Sequence, residues 1–160
     1  MSLATVRQAI VTRLSSVPDI GQVHAYPRYA HTLRDLALLY RSPSHGQLRG
    51  WSVARVATNE VGNVQARTVE ICRWRILGVM ALDDAGSSEL AFDALIEAVR
   101  DAFARDETLA GTVAQCSDPE GAGESGIQVD DVGPGKFADV LAHIARLSLL
   151  TVRYLDRSQP

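Results

Sequence analysis

Arg67-Thr-Val-Glu-Ile-Cys-Arg-Trp-Arg-Ile-Leu-Gly-Val-Met-Ala-Leu82 decides the fold of this chain. Val69, Ile71, Trp74, Ile76, Leu77, Val79 and Met80 are the β-branched, aromatic and aliphatic side chains that suit a pleated, half-buried surface. Upstream, residues 51–58 carry Trp51, Val53 and Val56, and residues 59–63 have the polar, glycine-containing character of a turn. The two runs predict one long antiparallel hairpin, of a kind that often extends past its own domain. Along the second strand the apolar phase moves from odd positions (Val69, Ile71) to even ones (Trp74, Ile76), which predicts a bulge or a change of buried face there.

Working outward from the hairpin, Leu3, Val6, Ile10 and Leu14 recur at helical spacing, with Ser2 as N-cap and Pro18 beyond the end, predicting a helix over residues 3–15. Residues 19–26 read as a turn and short strand closed by Pro27. Leu33, Leu36, Ala37 and Tyr40 fit a short helix ended by Pro43 and Gly46. After the hairpin, Phe92, Leu95, Ile96, Val99 and Phe103 fall on one helical face, with Gly86, Ser87 and Ser88 at its start. Leu109, Val113 and Cys116 suggest a further strand. Residues 117–136, rich in glycine, proline and acids, predict a mobile, exposed connection in which residues 127–132 can add a short strand. At the end, Leu147, Leu149 and Thr151 alternate with Arg146, Ser148 and Leu150, predicting a strand over residues 143–155.

A chain of 160 residues, 46% hydrophobic and 22% charged, is long enough for one cored domain and fits neither a disordered nor a membrane class. The expected fold is a single α+β domain over residues 1–160: a mostly antiparallel sheet with a long hairpin, packed against an N-terminal and a central amphipathic helix. A formal net charge of -3 argues against a dedicated nucleic-acid binder. Cys72 and Cys116 form no metal spacing and read as buried free thiols in a reducing compartment.

No residues announce chemistry. No GxSxG frames a nucleophile, and Gly133-Pro-Gly-Lys136 lacks the strand-to-helix context of a phosphate loop. The acid pairs Asp83-Asp84 and Asp130-Asp131 fall in turns, where carboxylates commonly serve local hydrogen bonds. His24, His31 and His45 lack disciplined ligand spacing. The expectation is a protein that is not an enzyme and has no catalytic residues, no metal and no cofactor.

Charge is instead segregated. Residues 45–82 hold Arg49, Arg55, Arg67, Arg73 and Arg75 against Glu60 and Glu70. Residues 83–107 hold eight acids against Arg100 and Arg105, and Glu89, Asp93, Glu97 and Asp101 recur every four residues down the exposed side of the central helix. Solvated faces would carry such charges too. A basic hairpin and an acidic helix on one subunit nonetheless suit head-to-tail association, in which each copy meets a different surface of its neighbour. Those nine residues are the candidate interface.

The order of elements, with Trp74-Arg-Ile-Leu-Gly-Val-Met80, residues 88–105 as central helix, Asp106-Glu-Thr-Leu-Ala-Gly-Thr-Val113 and Ala145-Arg-Leu-Ser-Leu-Leu-Thr-Val-Arg-Tyr154, resembles the tail terminator (minor tail protein U-like, tail completion) proteins of long-tailed bacteriophages. Residues 24–50 depart from the pattern. The resemblance implies a virion tail protein assembled in the host cytoplasm, forming a homo-oligomeric ring, a hexamer, at the head-proximal end of the tail tube. Its partners would be the tail tube protein and a head completion or connector protein, with DNA passing through the ring without sequence recognition and no membrane involved. Another head-tail joint protein, such as a stopper, is the alternative, and a small enzyme or ligand-binding domain with its pocket in residues 24–45 is a more distant one.

Overall fold

The computed structural model describes residues 2–62 and 67–156. In chain order they form α1 (Leu3–Ser15), β1 (Gln22–His24), α2 (Leu33–Leu39), β2 (Arg49–Gly62), β3 (Arg67–Ala81), α3 (Ser88–Ala104), β4 (Gln128–Phe137) and β5 (Val140–Asp156). The sheet runs β1-β2-β3-β5-β4, antiparallel except for β1, which lies parallel to β2. This is the expected α+β architecture with a long hairpin and helices at the expected places.

Directly opposed residues of an antiparallel ladder share a face, so the register sorts every strand residue onto one side of the sheet or the other. Trp74 opposes Leu149, Ile76 opposes Val53 and Leu147, and Gly78 opposes Trp51 and Ala145. These residues pack with Val6, Ile10 and Leu14 of α1 and Phe92, Ile96, Val99 and Phe103 of α3 into the main core. Both indoles are fully buried and keep a hydrogen-bond partner: Trp74 Nε1 donates to Thr151 Oγ1 at 2.9 Å and Trp51 Nε1 to the Ile20 carbonyl at 2.8 Å. Gly78 makes room for Trp51, because a Cβ there would lie 2.3 Å from its ring. A smaller cluster of Tyr40, Leu48, Val79 and Ala142 occupies the opposite face beside α2.

Four expectations are corrected. The phase change in β3 does not occur: its even residues from Glu70 to Met80 are all buried on the helix side, and Val69 and Ile71 belong to the other face. Glu70 disguised the pattern, because it is a carboxylate buried in an apolar row, neutralised by Arg153 Nε at 2.6 Å. The bulge lies in β2 instead, between Arg55 and Ala57, leaving Val56 as the extra residue. Of the expected turn at 59–63, residues 59–62 are paired strand opposite Ile71 to Thr68, and Asn63 lies outside the described residues.

The strand expected around Leu109–Cys116 is a series of turns. Leu109, Ala110 and Gly111 take positive φ (48°, 55° and 80°), which no strand permits, and only Gln115 forms a bridge, to Val152. Leu109, Val113 and Cys116 are buried all the same, as plugs of the main core. Conversely, β4 extends to Phe137, through the segment expected to be loop. As an edge strand it tolerates Pro134, whose missing N–H faces no ladder partner. Ala138 and Asp139, at φ 50° and 64°, close a two-residue hairpin into β5, which therefore starts at Val140.

Candidate subunit interface

Register separates the five candidate arginines into unlike groups. Arg73 opposes Leu150 and Arg75 opposes Ser148, on the face of β3 turned away from α1 and α3. Arg67 has the same parity and stands opposite Asp156. Arg55 opposes Trp74 and so lies on the helix side, in step with Trp51 and Val53 and just before the Val56 bulge. Arg49 is built into the fold: its Nη1 donates to the Asp19 carbonyl at 3.1 Å and to His45 Nε2 at 3.0 Å, while its own backbone crowds Gly21. The grouping by sequence proximity thus holds for Arg67, Arg73 and Arg75 and fails for Arg49 and Arg55.

Arg146 was hidden in a strand read as core. It opposes Leu77, an open-face residue one level beyond Arg75, and is exposed. Its signal was available in the alternation, as a lone charge between Ala145 and Leu147. Two of these open-face arginines hold internal acids: Arg73 Nη1 bonds Glu124 Oε2 at 2.9 Å and Arg146 Nη1 bonds Asp131 Oδ2 at 3.0 Å. Arg75 is exposed and makes no ion pair among the described residues.

On the far side of the molecule, α3 buries Phe92, Leu95, Ile96, Val99 and Phe103 and exposes Glu89, Asp93, Glu97 and Asp101. Only Glu97 is bridged within the helix, by Arg100 at 2.9 Å. The helix start is secured without a side-chain cap from Ser87. Ser88 Oγ accepts the Asp83 N–H at 2.8 Å and is hydrogen-bonded to His143 Nε2 at 2.8 Å, with the Phe92 ring tilted against the imidazole. Ser88 and His143 are both buried, so this pair fastens α3 to β5.

Arg13 of α1 pairs with Asp106 just after α3. The Ala110 N–H and, against the opposing effect of burial, the Arg13 guanidinium hold the Asp106 carboxyl below its usual range. Burial pushes the Cys116 thiol up to about 12, and burial likewise raises Cys72, so neither thiol is an activated nucleophile. The histidines of residues 24–45 do not converge. His24 donates from Nε2 to the Leu39 carbonyl at 2.6 Å, His45 binds Ser42 and Arg49, and His31 is exposed. The nearby groove of roughly 570 Å³ is walled chiefly by Leu33, Ala37, Leu38, Leu48, Ala81 and Val140, and none of the three lines it.

Among the described residues, no three of His, Cys, Asp or Glu form a group able to hold a metal ion, and no helix is long and apolar enough to cross a membrane. The arrangement defines a charge-polarised α+β fold: carboxylates along the outside of the helical layer, arginines across the open face of the sheet. Comparison with known proteins finds no family model that matches the chain and no similar curated protein.

Proposed function

We propose that this protein is a non-catalytic virion assembly subunit that closes the head-proximal end of a phage tail tube as a homo-oligomeric ring. The ring stops tube growth and presents a surface to a head completion or connector protein, with DNA passing through its centre. The observation that carries the reading is the opposition of charge across one subunit. A carboxylate stripe on α3 and an arginine row on the reverse of the sheet give each copy two different, complementary surfaces, as a closed head-to-tail ring requires. The element order that resembles tail terminators adds the place in the particle.

The test is polymerisation of the tail tube protein from the same genome in the presence of this protein. Tubes are expected to stop growing and to carry the protein at one end, seen by electron microscopy with a labelled copy. Tubes that elongate unchanged and unlabelled in a molar excess of the protein would sink the proposal.

A further inference from the structure

The open face of the sheet has a spacing that selects its occupant. Arg73 and Arg75 occupy successive same-face positions of β3, and Arg146 on β5 stands opposite Leu77, the next such position. Two strand residues advance about 6.8 Å, so the three guanidiniums rise from levels about that far apart. Four helical residues advance about 6 Å, which is the repeat of the carboxylates Glu89, Asp93, Glu97 and Asp101. Across three levels the two rows fall out of step by only about 1.6 Å, well within the reach of an arginine side chain. Between the arginines, Leu77 and Leu150 are half-buried, and α3 exposes Leu90, 70% accessible, on the flank of its acidic stripe.

We infer that the α3 stripe of a second copy docks across the Arg73, Arg75 and Arg146 row, and that Glu124 and Asp131 hold the outer two arginines in the free subunit until it arrives. This rests on the ring reading and gives it a specific contact. The internal pairs are substantially exposed, with side-chain accessibilities of 39%/38% for Arg73–Glu124 and 51%/65% for Arg146–Asp131. Exposed pairs of this kind are weak, so an incoming carboxylate replaces them at little cost. A copy's own α3 cannot fill the site, because it lies on the opposite side of the same sheet. The contact is therefore heterologous, and each copy keeps one unused half of it at either end of a chain of copies.

The experiment is sedimentation of the full chain at low and high salt, alongside Arg73→Glu/Arg75→Glu and Asp93→Lys/Glu97→Lys, with circular dichroism to check folding. Wild type is expected to assemble with concentration and to dissociate as salt rises. Each variant alone is expected to be monomeric, and an equimolar mixture to regain assembly, because the acidic stripe of one variant meets the arginine row of the other while the reversed stripe and the reversed row attract in the opposite sense. Glu124→Gln should shift assembly to several-fold lower concentration. Should either charge reversal fail to fold, Arg75→Gln and Glu97→Gln take its place, with weakened assembly as the expected result.

Wild type that stays monomeric at low salt, a reversed variant that assembles like wild type, or a mixture that does not regain assembly would each overturn the inference. Tube capping that survives the reversals would overturn this contact while leaving the proposed function standing. Capping lost in a wild type that self-associates as described would do the reverse.

Discussion

The sheet has two halves that follow different rules, and the Val56 bulge marks the boundary in β2. On one side, residues 50–53 are buried, Trp51 and Val53 under α1 and α3 and Gly50 against Tyr40 on the other face; beyond the bulge, residues 55–62 are exposed without exception. Arg7 of α1 stands at the border: its Nη1 donates to the carbonyls of Ala25 at 2.7 Å and Val53 at 3.0 Å, and its guanidinium covers the Trp74 ring at 5.3 Å. Past that clamp β2 is exposed, and in the distal half the buried charge pair Glu70–Arg153 stands on β3 and β5 in a row that is otherwise apolar. Such a pair is a poor source of net stability, because desolvation offsets most of its Coulombic gain. The difference teaches that the covered half holds the fold, while the distal half is sheet surface with little intramolecular reason to be long.

The comparison is tested most severely in the covered half. Trp74→Ala deletes a fully buried indole, empties space between α1 and the sheet, and leaves the buried Thr151 hydroxyl without its donor. A loss of about 3–5 kcal/mol in unfolding free energy is expected from urea denaturation. A loss under about 1 kcal/mol would mean that the covered half is not the seat of stability.

A smaller effect is expected where α1 meets the chain after α3. Asp106 accepts the Ala110 N–H at 2.9 Å and pairs with Arg13, with its side chain 16% exposed, so Asp106→Asn is expected to cost about 1 kcal/mol near neutrality. The folded-state pKa is depressed, so this stabilisation is fully present above the usual carboxylate range, near pH 4, and is lost as pH falls through the lower folded value. Melting curves of wild type and variant should therefore differ at pH 7 and converge in acid. A gap that widens with acidification would contradict the assignment.

Periodicity carried the two helices that matter, because Leu3, Val6, Ile10 and Leu14, and Phe92 through Phe103, bury one face each. It was less informative where a side chain on the buried face was charged or where a turn, not a strand, positioned apolar residues. Glu70 made β3 look as though it changed phase, so the bulge was assigned to the wrong strand. That error also hid the grouping of the arginines, since Arg67 and Arg73 share a face only because β3 holds no extra residue between them. Leu109, Val113 and Cys116 are placed by a turn in which Leu109, Ala110 and Gly111 take positive φ and Asp106 accepts the Ala110 N–H from four residues away, and composition alone does not encode that contact. The candidate face was legible in part: the α3 stripe in full, the arginine row only after register placed Arg146 beside Arg75.

The gentlest test lies in the distal half itself. Val61 is 49% exposed, stands opposite Val69 on the face away from the helices, and belongs to the stretch where β2 has no neighbour but β3. Val61→Thr keeps the β-branched shape that suits a strand and removes only exposed apolar surface, so unfolding free energy should move by less than about 0.5 kcal/mol. Self-association measured on the same sample then separates two roles for this half. If assembly is unchanged too, the distal strand ends stand clear of the docked arginine row; if assembly weakens while stability holds, the apolar surface around Val61 is part of the contact. A stability loss comparable to that of Trp74→Ala would instead erase the distinction between the halves, because it would require this exposed end of the hairpin to be as tightly packed as the ground beneath α1 and α3.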